Sequence, residues 1–78
     1  MQKIKLPELG EGIKSAELAF WHVKEGDTIN NGDDICEVVT NKVSFHVESP
    51  FSGILSSIKF KEQDCVKIGE VIAYIEEE

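Results

Sequence analysis

From Glu37 to Pro50 the chain reads E-V-V-T-N-K-V-S-F-H-V-E-S-P. Val43, Phe45 and Val47 alternate with Ser44, His46 and Glu48, the period-two pattern of a strand with one face buried. The preceding run, Ile35 to Val39, is rich in β-branched residues and reads as the partner strand. Only Thr40-Asn41-Lys42 separates the two runs, so they are expected to pair as a hairpin with a tight turn, and Asn41 tolerates the backbone angles such a turn demands. That arrangement places Lys42 at the tip, within reach of a modifying enzyme. Taken alone, these residues fit an ordinary solvated turn lysine better than a modification site. Alternation along the first strand turns Val38 inward and Val39 outward.

The same pattern divides the rest of the chain into short strands. Gln2 to Leu6 is ended by Pro7, which cannot donate to a ladder. Ala16 to Val23 alternates imperfectly: Ala16, Leu18 and Phe20 share one face while Trp21 and Val23 fall on the other, which predicts a bulge near Ala19-Phe20 and partial exposure of Phe20 or Trp21. Lys24-Glu25-Gly26-Asp27 and Asn30-Asn31-Gly32-Asp33 read as turns around a minimal strand, Thr28-Ile29. Pro50 to Gly53 interrupts the pattern, and Ile54 to Phe60 resumes it with Ile54, Ser56, Ile58 and Phe60 on one face. Cys65-Val66 and Val71 to Ile75 complete the set. No 3.6-residue apolar period is long enough for a helix, so the fold is expected to be all-β. Gly10-Glu11-Gly12 lacks both the third glycine and the following helix of a dinucleotide-binding turn.

Residues 24–39 and 61–76 repeat one another at an offset of 37. Lys24, Glu25, Asp27, Gly32 and Ile35 recur as Lys61, Glu62, Asp64, Gly69 and Ile72, and Ile29, Asp33 and Val38 find near matches in Val66, Glu70 and Ile75. Two half-domains of four short strands, each too small to bury its own apolar face, are predicted to pack about a pseudo-twofold axis. The expected architecture is a flattened β-barrel or sandwich of two four-stranded antiparallel sheets, with residues 1–78 forming a single domain.

Composition narrows the function. The formal net charge is −7 and all eight cations are lysines. Without arginine or a basic stripe, nucleic acid is not an expected partner, and an acidic surface is repelled by anionic membranes. No apolar run approaches the ~20 residues of a membrane span, and the first residues have no signal-peptide core, so the expectation is a soluble intracellular domain. Cys36 and Cys65 both lie in apolar strand text and are expected to be small buried hydrophobes. With His22 and His46 they show no metal-ligand spacing, and no nucleophile–base pattern is present.

L-P-E-L-G-E-G-I near the start, V-K-E-G-D at 23–27, I-C-E-V at 35–38, T-N-K-V at 40–43 and S-P-F-S-G at 49–53 together resemble the lipoyl domain of 2-oxo acid dehydrogenase acyltransferases. The resemblance spans nearly the whole chain, with motifs in order. It implies that Lys42 carries lipoate in amide linkage, flanked by the recognition neighbours Val39, Thr40, Asn41 and Val43. It further implies a non-catalytic carrier whose swinging arm collects an acyl group from a thiamine diphosphate-dependent 2-oxo acid dehydrogenase. The arm delivers that group at the acyltransferase core and is reoxidised by a dihydrolipoyl dehydrogenase. The attaching enzyme would be a lipoate ligase or a lipoyl/octanoyl transferase, and the setting a bacterial or archaeal cytoplasm or, in a eukaryote, the mitochondrial matrix. Attachment would take the formal charge from −7 to −8. The family's usual D-K-A is Asn41-Lys42-Val43 here, and Val39 stands where many members have an acid. These differences are expected to bear on partner recognition and not on attachment. The alternatives are an unmodified β-sandwich interaction module and a biotin carrier, although the biotinyl lysine normally lies between methionines.

Overall fold

The structure, a computed structural model, describes residues 1–41 and 43–77; Lys42 and Glu78 lie outside the described residues. Among the described residues there are eight strands and no helix: β1 (Gln2–Lys5), β2 (Ser15–Trp21), β3 (Thr28–Ile29), β4 (Asp34–Val39), β5 (Ser44–Glu48), β6 (Gly53–Ile58), β7 (Cys65–Lys67) and β8 (Val71–Glu76). They form two four-stranded antiparallel sheets, ordered β1-β8-β6-β3 and β5-β4-β2-β7. Shifting each strand by one repeat turns one order into the other, with β8 taking the place of β4, β6 of β2 and β3 of β7. The half-domains are not one sheet each, as simple stacking of two repeats would give. They interlock, with β3 completing the sheet of β6 and β8 while β7 completes that of β2 and β4. Each half therefore closes the other's sheet, and neither half has a complete sheet alone.

The repeat extends to individual hydrogen bonds. Lys24 N–H donates to Asp27 Oδ2 at 2.8 Å, and Lys61 N–H to Asp64 Oδ2 at 2.9 Å. Gly26 N–H donates to Leu55 O at 2.8 Å, and its counterpart Gln63 N–H to Leu18 O at 2.6 Å. Gly32 and Gly69 both have the positive φ expected of their turns, and Gln63 takes a φ of 79°, the left-handed geometry of its glycine counterpart Gly26. The Glu25 carboxylate accepts from Ile58 N–H at 2.8 Å, and the Glu62 carboxylate from Trp21 N–H at 3.1 Å, so each half sends one carboxylate across to the other. A surface hydrogen bond of this kind contributes about 0.5–1.5 kcal/mol. Glu25→Ala and Glu62→Ala are expected to lower stability by about that amount and by similar amounts, as read from urea midpoints at unchanged m-value.

The core is made of the inward-facing positions of both sheets, with Leu18, Ile35, Val38, Leu55, Val66, Ile72 and Ile75 essentially inaccessible. The predicted irregularity in β2 is present as a register shift between Leu18 and Phe20. It leaves Phe20 55% exposed, while the half-buried Trp21 donates its indole N–H to Phe60 O at 2.9 Å. The same shift recurs in β6 between Leu55 and Ser57. This bulge corrects the expected single face of Ile54, Ser56, Ile58 and Phe60: Leu55 is buried and Ile54 is exposed, and the extra residue at Ser56 resets the alternation so that Ile58 packs against the core.

Candidate functional site

The β4–β5 hairpin has the register that its sequence requires, pairing Val39 with Ser44, Val38 with Phe45 and Glu37 with His46. Thr40 and Val43 close it. Thr40 N–H donates to Val43 O at 2.8 Å, and the Thr40 hydroxyl reaches the same carbonyl at 3.1 Å. In the other direction Val43 N–H donates to Thr40 Oγ1 at 3.2 Å. Threonine is suited to this place because its hydroxyl donates and accepts at once, fastening both ends of the turn. The neighbours of Lys42 on either side, Asn41 and Val43, are exposed, Val43 to 46%.

Val38 is fully buried, as alternation predicts, and anchors the hairpin in the core. Val39, on the alternate face, is half-buried and borders an open groove of about 630 Å³. Thr40, Asn41, the 12–17 segment and Cys65 also line it, and Glu17 pairs with Val39 on one side and with Cys65 on the other. In sheet pairing, β1 and β8 run together with Gln2 opposite Ile75, so the start of the first strand and the end of the last lie side by side. Under the repeat symmetry that pair of ends corresponds to the β4–β5 turn.

The sequence matches the family model described as "Biotin-requiring enzyme" over residues 2–75. The chain belongs to this biotin/lipoyl attachment family. It is 36% identical over 76 residues to the lipoamide acyltransferase component of the mitochondrial branched-chain alpha-keto acid dehydrogenase complex of Bos taurus, covering 97% of this chain and 16% of that protein. It is also 36% identical over 77 residues to the dihydrolipoyllysine-residue succinyltransferase component of the 2-oxoglutarate dehydrogenase complex of Staphylococcus saprophyticus, covering 99% of this chain and 18% of that protein. The chain thus spans under a fifth of the length of these relatives. Among solved structures it is similar to the solution structure of the lipoyl domain of the 2-oxoglutarate dehydrogenase complex of Azotobacter vinelandii. The TM-score is 0.78 and the identity 30%, with coverage of 99% of this chain and 98% of that one. The lipoyl-domain resemblance and the two-sheet all-β fold are both borne out.

Of the expected site residues of this lipoyl domain, Val39, Thr40, Asn41 and Val43 come together at the hairpin end, and Lys42 lies outside the described residues. One expectation about the cysteines is corrected and the other holds. Cys65 is exposed: in the three-residue strand β7 it alternates with Val66, and Val66 takes the inward position. Cys36 is buried, and burial pushes its thiol up to about 12, so it stays protonated and unreactive at neutral pH. His22 and His46, which have no ligand spacing along the chain, are brought together in space on sheet β5-β4-β2-β7.

Proposed function

We propose that this lipoyl domain carries lipoate in amide linkage on Lys42 and serves as a mobile acyl carrier within a 2-oxo acid dehydrogenase complex. The observation that carries the reading is the turn at residues 40–43, closed from both sides by Thr40 and flanked by exposed residues. Asn41 and Val43, the sequence neighbours of Lys42, continue two paired strands, and those strands are pinned by Val38 and Val47 in the core. The chain's own residues thus supply a rigid mount. When bound, lipoate supplies a dithiolane that accepts and hands on an acyl group. A tethered group reaches successive active sites at high effective concentration without tight binding by the domain itself. The relatives are named for branched-chain, acetoin, pyruvate and 2-oxoglutarate systems at 35–38% identity, so their names support the carrier role and do not single out one acyl group.

Intact mass and peptide mapping test this reading. After incubation with lipoate ligase, ATP and lipoate, the chain is expected to gain one lipoyl group, on Lys42 alone among the eight lysines. Lys24 and Lys61 occupy matched turns of the two halves and act as internal controls. Lys42→Arg should abolish loading. An adduct on Lys24, Lys61 or Lys67 with Lys42 bare would overturn the assignment, and acceptance of biotin in place of lipoate would move the domain to the other branch of its family.

A further inference from the structure

We infer that His22, Glu37 and His46 form a surface site for one divalent transition-metal ion of the Zn²⁺ class. The three residues come from different segments: His22 directly follows β2, Glu37 lies in the middle of β4, and His46 lies in β5. Strand register brings them together. Glu37 is the direct cross-strand partner of His46, and His22 N–H donates to Ile35 O at 2.9 Å, holding the end of β2 against β4. One ligand atom from each residue falls within 4.8 Å of the others. His46 Nε2 is 3.6 Å from Glu37 Oε1. Two ligands of a tetrahedral ion with bonds of ~2.0–2.1 Å stand about 3.4 Å apart, so this edge of the polyhedron is nearly formed. His22 closes the remaining distance by side-chain rotation, for which an exposed residue has room.

The chemistry of the donors selects the ion. Two imidazoles and one carboxylate suit Zn²⁺, Ni²⁺, Co²⁺ or Cu²⁺, and not Mg²⁺ or Ca²⁺, which require oxygen ligands. The Nδ1 of His46 lies 3.7 Å from Asp34 Oδ2. A carboxylate drawn into hydrogen-bond range behind one ring nitrogen favours the tautomer that presents the other nitrogen to a metal. The rings of His22 and His46 stack at 6.4 Å between centroids and 23° between planes. These are the chain's two histidines, and both take part. Three protein ligands leave one coordination position for water or an incoming ligand. A bound ion would also cross-link three neighbouring segments of one sheet, including both strands of the hairpin that bears Lys42.

Titration calorimetry with ZnCl₂ on the Lys42→Arg, Cys65→Ser chain tests this site, because that background removes the lipoyl dithiol and the exposed thiol as competing ligands. One equivalent is expected to bind, with a rise in Tm in excess zinc as required when only the folded state has the site. Amide shifts in ¹H–¹⁵N spectra should centre on residues 22, 37 and 46. His22→Ala and His46→Ala should each weaken binding by about 100-fold or more. Asp34→Asn should weaken it about tenfold, the low end for a carboxylate behind a ligand. All these side chains lie on the surface, and an unchanged apo-protein spectrum verifies that each variant folds. Absence of binding, or affinity held within about threefold in His46→Ala, would overturn the site. Co²⁺ as a second probe should give the intense visible bands of a four-coordinate ion, and a purely octahedral spectrum would contradict the proposed geometry.

Discussion

Gly53→Ala is expected to remove a large part of the stability of this domain, on the order of 2–6 kcal/mol, the sum of local backbone strain and overpacking. Gly53 opens β6, is buried, and has a φ of +155°. A Cβ built there would collide with the backbone oxygen of Glu76 and lie 2.8 Å from Ile75 Cγ2. A main-chain oxygen in the β8 ladder cannot rotate out of the way as the end of a flexible side chain can, so β6 and β8 must separate or the chain must bend. A domain of this length has roughly 4–12 kcal/mol in total, and Tm should therefore fall by at least about 10 °C.

The pseudo-symmetry supplies the control. The counterpart of Gly53, one repeat earlier, is Ala16, which is buried and tolerates its Cβ. Gly53 pairs with Ile29 as Ala16 pairs with Val66, so the ladder position is the same in both halves. Ala16→Gly should cost only about 0.5–1 kcal/mol, the ordinary penalty of an interior glycine. Thermal melts of the two reciprocal variants therefore measure how far the halves have diverged. Equal, small effects would show that the close approach at Glu76 relaxes without cost.

Most of the fold can be read from local patterns because its strands are short and its turns chemically explicit. Val43, Phe45 and Val47 declare a strand by alternation, and the repeated K-E-x-D turns declare the two halves. The break after Leu18 shows the β2 bulge, because Phe20 and Trp21 are both large and cannot both face inward. The matching bulge in β6 is silent, since Ser56 and Ser57 fit either face and leave no apolar conflict to betray the extra residue. Interlocking of the halves is also invisible locally. Thr28-Ile29 and Cys65 to Lys67 are too short to choose a partner by pattern, and their sheet is decided by the edges available in three dimensions. The same shortness makes Cys65 misleading, because alternation over three residues has too few positions to set its phase.

The histidine cluster lies between these cases. Pairing of Glu37 with His46 follows from the hairpin turn by counting back from Thr40 and Val43. His22 joins them only through the register of β2 on β4, which the bulge shifts by one residue. A one-residue slip sends a side chain to the opposite face, so no spacing rule along the chain could have found the third ligand.

Moving the lysine along the turn should nearly abolish loading without unfolding the domain. In the exchange Asn41→Lys with Lys42→Asn, composition and charge are conserved, and the bonds between Thr40 and Val43 that close the turn are made by residues left unchanged. Asn41 and Val43 are exposed, so substitution at the turn disturbs little packing and the melting temperature should stay close to that of the parent. The position of the amine does change, because successive residues direct their side chains differently and the turn is fastened at both ends. An enzyme that reads the lysine by its place on a rigid hairpin then finds the nucleophile displaced, and a displacement of ~1 Å can cost about 100-fold in rate. The time course of ligase loading, followed by intact mass, should therefore slow by about 100-fold or more in the exchanged variant. Loading at the parental rate would mean that the ligase captures any exposed lysine near this turn. The rigid mount would then serve the later partners of the arm and not its attachment.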